Sequence, residues 1–167
     1  PDGAVGVFES NSILRAVARA ASQESGLYGE DGYQASRIDS FLDADLVFAR
    51  EAQVYLLGID KISEEGYQRM SAAYEFYLSG IEATLSDNEY LIGNSLTIAV
   101  ISFVCDFAQF LREGHYEEQL VGQGLSLISQ GGQEEYPRAY EHMLELNARP
   151  EFSEVMGSYL SWYRRKL

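Results

Sequence analysis

At 167 residues the chain is long enough for one domain with a buried core, or for a domain and part of another. Its 46% hydrophobic and 13% aromatic content excludes a disordered chain, and a net charge of −14 excludes a surface built to hold nucleic acid, which needs a basic footprint. A single cysteine excludes an internal disulfide and a cysteine-cluster zinc site, a usage that fits a reducing, cytoplasmic setting. No run is long and apolar enough to predict a membrane partner, and the dense basic run is Arg164-Arg165-Lys166.

Pro1-Asp2-Gly3 has turn chemistry, and Ala4 to Phe8 is a short apolar run of strand type. Glu9-Ser10-Asn11 follows, then Ile13, Leu14, Val17 and Ala18 at helical spacing. One strand and one helix read as the tail of a small α/β unit, which cannot form a sheet alone, so the pattern predicts a preceding segment. Ser10 stands at the helix entrance, where free amides and the macrodipole favour a carboxylate. Ser22 to Gly32 is a linker rich in Gly, Ser and acid. The organisation expected is 1–21, the end of an α/β unit; 22–32, a linker; and 33–167, an all-α domain.

Two long helices come next. The first runs from about Tyr33 to Leu57 with Ile38, Phe41, Leu42, Leu46, Ala49 and Leu56 on its apolar side; Asp39, Asp43 and Asp45 crowd its N-terminal half, where the dipole favours them. Phe48 and Tyr55 lie on it at helical spacing, as core packing or as the lining of an apolar pocket. The second runs from a Ser63 cap to Leu85. A third, Ile98 to Leu111, is polar only at Ser102, Asp106 and Gln109, so it belongs inside a bundle. Thr97 is its expected N-cap, its hydroxyl accepting from first-turn amides, with Leu96 and Ile101 as a hydrophobic staple. Cys105 reads as a buried small hydrophobe, and Asp106 as a charge that must find a partner on a neighbouring helix or face a cleft. His115, among Glu113, Glu117 and Glu118, matches no metal-ligand spacing, so no metal is predicted. A helix over Glu134 to Leu146, with Pro137 in its first turn, and a last one starting at Pro150 complete the chain.

Tyr90-Leu91-Ile92-Gly93-Asn94-Ser95-Leu96-Thr97-Ile98-Ala99 resembles the Y-L-x-G-x-x-x-[ST]-x-A-D entrance to the central helix of the glutathione transferase superfamily. Val100 departs from it, standing where the family has a capping carboxylate. The run VFESNSILRAVAR is similar to the last strand and third helix of that family's thioredoxin-like domain, and Arg149-Pro150-Glu151-Phe152 with Val155 to its last helix. The resemblance implies a mainly α fold: a transferase C-terminal-type helical bundle preceded by a partial thioredoxin-like α/β unit. It implies that Glu9 and Ser10 grip the γ-glutamyl end of glutathione, the co-substrate. It also implies a small apolar electrophile as second substrate, with Phe48 and Tyr55 at its pocket, and a homodimer. The chemistry would be attack of the glutathione thiolate on an electrophilic carbon. The thiol-activating residue belongs to the family's preceding segment, so no catalytic residue can be named. The VFESNSI run is also close to the transferase-like domain of elongation factor 1 gamma, which gives the second reading, a non-catalytic interaction module.

Overall fold

The computed structural model describes residues 6–21, 23–160 and 163, with nothing of the Gln23 side chain. The basic run Arg164 to Lys166 and Trp162 lie outside the described residues, as do Pro1 to Val5 and Ser22.

The fold is mainly α, and no strand forms among the described residues. Its helices are α1 (Ser10–Ala20), α2 (Gly32–Gly58), α3 (Glu64–Leu85), α4 (Ile98–Phe110), α5 (Glu117–Gly122), α6 (Gly132–Glu135), α7 (Pro137–Asn147) and α8 (Pro150–Met156). α4 is the axis: Val100, Phe103, Val104, Phe107, Ala108 and Phe110 are all fully buried. α1, α2, α7 and α8 pack against it, and α3 closes the far side by packing on α2 and α7. Aromatic rings fill the layer between them. Phe48 stacks on Tyr77 at 5.0 Å, and Phe110 meets Phe48, Tyr74 and Tyr55 at 5.5, 5.3 and 6.3 Å. Such pairs contribute about 0.5–1.5 kcal/mol each beyond the area they bury.

Caps set the ends of the long helices. The Asp31 carboxylate accepts from the Gln34 amide at 2.8 Å to open α2, and the Ser63 hydroxyl accepts from Gly66 at 3.1 Å to open α3. Both boundaries fall within one residue of those predicted. α4 starts where expected, with Thr97 as its N-cap residue, but the Thr97 hydroxyl makes no capping bond and is buried without a partner. The Ile98 amide is taken instead by the Leu27 carbonyl at 2.9 Å, so the linker itself closes the central helix. That linker turns at Gly29 (φ 80), where a Cβ would lie 2.7 Å from Cβ of Gln34; only glycine fits.

Two expectations are corrected. The short strand predicted over Ala4 to Phe8 is not formed at residues 6–8, the part of it described, because a single strand has no ladder partner here. The helix predicted over Glu134 to Leu146 is two helices that break at Tyr136 (φ −124, ψ 57). The ring of Pro137 excludes the helical conformation from the residue before it, so Pro137 begins α7 instead of sitting inside a longer helix. Gly132 of α6 lies against the hydroxyls of Tyr74 and Tyr140, which bond each other at 2.9 Å.

Past α8 the chain folds back on the bundle. Leu160 is fully buried, and the Tyr159 ring stacks under the Arg112 guanidinium at 4.9 Å.

Candidate functional site

The head of α1 carries the residues singled out for ligand binding. Glu9 is the N-cap and adopts φ 68, ψ 129, the one positive φ of a non-glycine residue among the described residues. A side chain held there costs about 1–3 kcal/mol, which surrounding structure must overcome. Its own side chain does not cap the helix. It reaches Arg50 of α2 at 3.3 Å, an exposed pair of small worth. Ser10 is exposed, and its hydroxyl has no hydrogen bond within the described residues. The Ile13 amide bonds the Glu9 carbonyl at 2.9 Å, which leaves the amides of residues 10–12 at the helix's open end. Glu9 and Ser10 are therefore adjacent, accessible and set beside a partial positive charge, an arrangement able to take a ligand with a carboxylate and an ammonium.

What holds this turn in place lies underneath it. Asn11 is 4% exposed; its Nδ2 donates to the Leu42 carbonyl of α2 at 2.6 Å, and its Oδ1 accepts from the Ser102 hydroxyl of α4 at 3.2 Å. Ser102 also bonds the carboxyl of Asp45, which is 1% exposed. On the outer side Arg15 clasps Asp39 at 2.6 Å and Asp43 at 2.8 Å, while the Tyr28 hydroxyl donates to Asp39 at 2.8 Å. Burial raises the Asp39 carboxyl, but the bonds from Arg15 and Tyr28 outweigh it and hold the group below its ordinary value.

Phe48 and Tyr55 are placed elsewhere. Both are core side chains, each 1% exposed, and neither opens to solvent. Phe48 stacks between α3 and α4, and the Tyr55 hydroxyl donates to Glu113 at 2.9 Å. Glu113, read in the sequence only as part of an acidic loop, is fully buried; it also accepts from the amides of Ile128 and Ser129 at 3.2 and 2.7 Å and so fastens the segment before α6. Cys105 is half-buried, and burial first, then the charges of Asp106 and Asp45, push its thiol up to about 11, so it is no nucleophile. His142 packs edge-on to Tyr90 at 5.4 Å, and burial lowers its pKa. No group of three potential metal ligands exists among the described residues.

A separate apolar groove of about 370 Å³ runs between α2 and α3, lined by Phe41, Ala44, Tyr77, Gly80 and Ile81, with Phe76 standing 72% exposed at its lip. No helix among the described residues is long and apolar enough to cross a membrane.

No protein-family model matches the chain. It is 28% identical over 162 residues to elongation factor 1-gamma 1 of Oryza sativa subsp. japonica, and 26% identical over 165 residues to elongation factor 1-gamma 2 of the same plant. Each match covers 94% of this chain and 35% of the relative, so the chain spans about a third of the length of the curated relatives it matches. The similarity and the all-α architecture together fit a transferase-like helical domain.

Proposed function

We propose that this chain is an interaction module of the elongation factor 1-gamma kind, in which a transferase-like helical domain serves as a docking surface within a longer polypeptide. The observation that carries this reading is the extent of the similarity: 94% of the chain aligns with elongation factor 1-gamma. The groove between α2 and α3, with Phe76 at its lip, supports it by offering apolar surface beyond what a closed monomer needs. A knob beside its own groove suits a two-fold contact with a second copy, in keeping with a homodimer. A cytoplasmic location goes with a role in translation. The test is to purify the intact polypeptide from its own cells, identify co-purifying elongation-factor subunits by mass spectrometry, and assay glutathione conjugation on the same preparation. A stoichiometric complex without turnover is the expected result. Turnover without a complex would reverse the reading.

A second reading keeps the ligand site. The strain at Glu9 and the unbonded Ser10 hydroxyl support glutathione binding at the head of α1, with conjugation to a small electrophile when a thioredoxin-like domain precedes this chain. Calorimetry on the intact polypeptide with Ser10→Ala alongside decides it. A sharp loss of glutathione affinity in the variant is expected, and equal heats in both proteins would remove the site.

A further inference from the structure

Beneath α1 the polar contacts outnumber the hydrogens available to make them. Asn11 is fixed in orientation, because the Leu42 carbonyl 2.6 Å from its amide nitrogen requires a donor there; Oδ1 therefore faces Ser102 as an acceptor. Ser102 has a single hydroxyl hydrogen but two acceptors within reach, Asn11 Oδ1 and Asp45 Oδ2. Both contacts are hydrogen bonds only when the Asp45 carboxyl carries a proton and donates to Ser102, which then donates to Asn11. The other carboxyl oxygen, Asp45 Oδ1, is buried and has no hydrogen-bond partner. Asp106 stands one helical turn beyond Ser102 on α4, and so on the same face of that helix.

We propose that the buried Asp45 carboxyl keeps its proton, and that this proton, donated to Ser102, is the latch that fastens α1, with the Glu9–Ser10 turn at its head, to α2 and α4. A buried carboxylate with a second acid nearby ionises only at a high cost unless a cation compensates it, and no ion pair reaches Asp45 or Asp106 among the described residues. The ionisable groups that bear on Asp45 are Asp106 of α4 and Tyr77 of α3, with Cys105 of α4 beside both acids. Tyr77 and Cys105 stay neutral because burial raises each of them. α1 presents only the neutral Asn11, its Arg15 being turned outward to Asp39 and Asp43. Burial first, and the neighbouring Asp106 second, raise the Asp45 carboxyl well above the ordinary range; the two acids titrate as a pair. Release of the proton leaves a charge beside the Asn11 anchor and breaks the relay through Ser102. The latch is therefore closed below that titration and opens as pH rises through it.

The experiment is hydrogen exchange of residues 10–20 in the intact protein from about pH 5 to about pH 9, corrected for intrinsic rates, with an infrared search for the carbonyl band of a protonated carboxylic acid near neutrality. Asp45→Asn mimics the protonated acid, since its amide can donate to Ser102 permanently. In the wild type the band should be present and α1 protection should fall about tenfold per pH unit above the titration, the slope for loss of one proton. In Asp45→Asn the band should vanish and the slope should flatten. Ser102→Ala removes the relay and leaves the acid, so it should flatten the slope as well, and it serves if Asp45→Asn fails to fold. A slope that persists in the variants, or a wild type without the protonated band, would overturn the proposal.

Discussion

Thr97 and Glu9 each break a local rule, in opposite ways. Thr97 occupies the N-cap of α4 yet leaves its hydroxyl buried and unbonded, beside Val100 where a capping carboxylate would have been a partner. An orphaned buried hydroxyl costs about 1–3 kcal/mol, and an apolar group of the same shape removes that cost. Thr97→Val should therefore raise stability by about 1 kcal/mol in urea unfolding, where loss of a working cap would lower it by about 0.5–2 kcal/mol. Glu9 stores strain in the left-handed region, and its exposed bridge to Arg50 recovers little of it. Glu9→Gly should stabilise the fold by roughly 1 kcal/mol. If the strain is kept to aim the site, the same variant should also bind glutathione more weakly; a variant that is stabilised with affinity unchanged would mean the turn is a relic of the fold and not a ligand grip.

At the scale of elements, α1 is attached to the bundle by two electrostatic devices of opposite pH dependence. The outer clasp, Arg15 and Tyr28 on Asp39, involves a carboxyl held below its ordinary value, so its contribution is present above the unfolded pKa and is lost as pH falls through the folded one. The inner pair, Asp45 and Asp106, is raised and behaves in the reverse sense. Docking of α1 should then be tightest between the two limits. Asp39→Asn should cost about 1 kcal/mol at neutral pH, a figure kept small by the exposure of the clasp, and the difference from wild type should disappear in acid; thermal melts at the two pH values check it. This attachment was only half legible in the sequence. α2, α3 and α4 announce themselves by apolar periodicity, and α3 and α4 also by Ser63 and Thr97 at their entrances. Asp106 stood out because a charge on an otherwise apolar helix needs a partner. Asp45 does not stand out, since with Asp39 and Asp43 it reads as one of the acids favoured by the dipole in the N-terminal half of the helix, although it follows Leu42 by three residues and so lies in the same inward row. Glu113 was hidden for a different reason: its partners are backbone amides 15 and 16 residues away, which no local pattern records. Likewise Phe48 and Tyr55 were visible as aromatics at helical spacing, but whether such a row faces a pocket or a core depends on what packs over it.

For the whole molecule the dominant long-range quantity is charge. With 26 acidic residues against 12 basic ones, most carboxylates have no cation to meet, and the ion pairs among the described residues all use arginine. Arg138 with Glu82 and Arg69 with Glu51 tie helices together locally, but they cannot neutralise the excess. Self-repulsion of this kind destabilises the compact state while keeping the protein soluble. It acts over the Debye length, about 30 Å at 0.01 M salt and about 8 Å at 0.15 M, so it is screened at ionic strengths that leave short ion pairs nearly intact. Adding sodium chloride over that range should raise the melting temperature, with most of the gain complete by the upper end. A fall would mean that the arginine pairs contribute more than the net repulsion removes. The same field bears on a docking role: a partner for so acidic a surface needs a basic face, and its association rate should drop steeply over the same salt range while its dissociation rate changes little. Stopped-flow mixing of the intact protein with a purified partner subunit reads both rates, and an association rate indifferent to salt would place the contact on the uncharged groove between α2 and α3 instead.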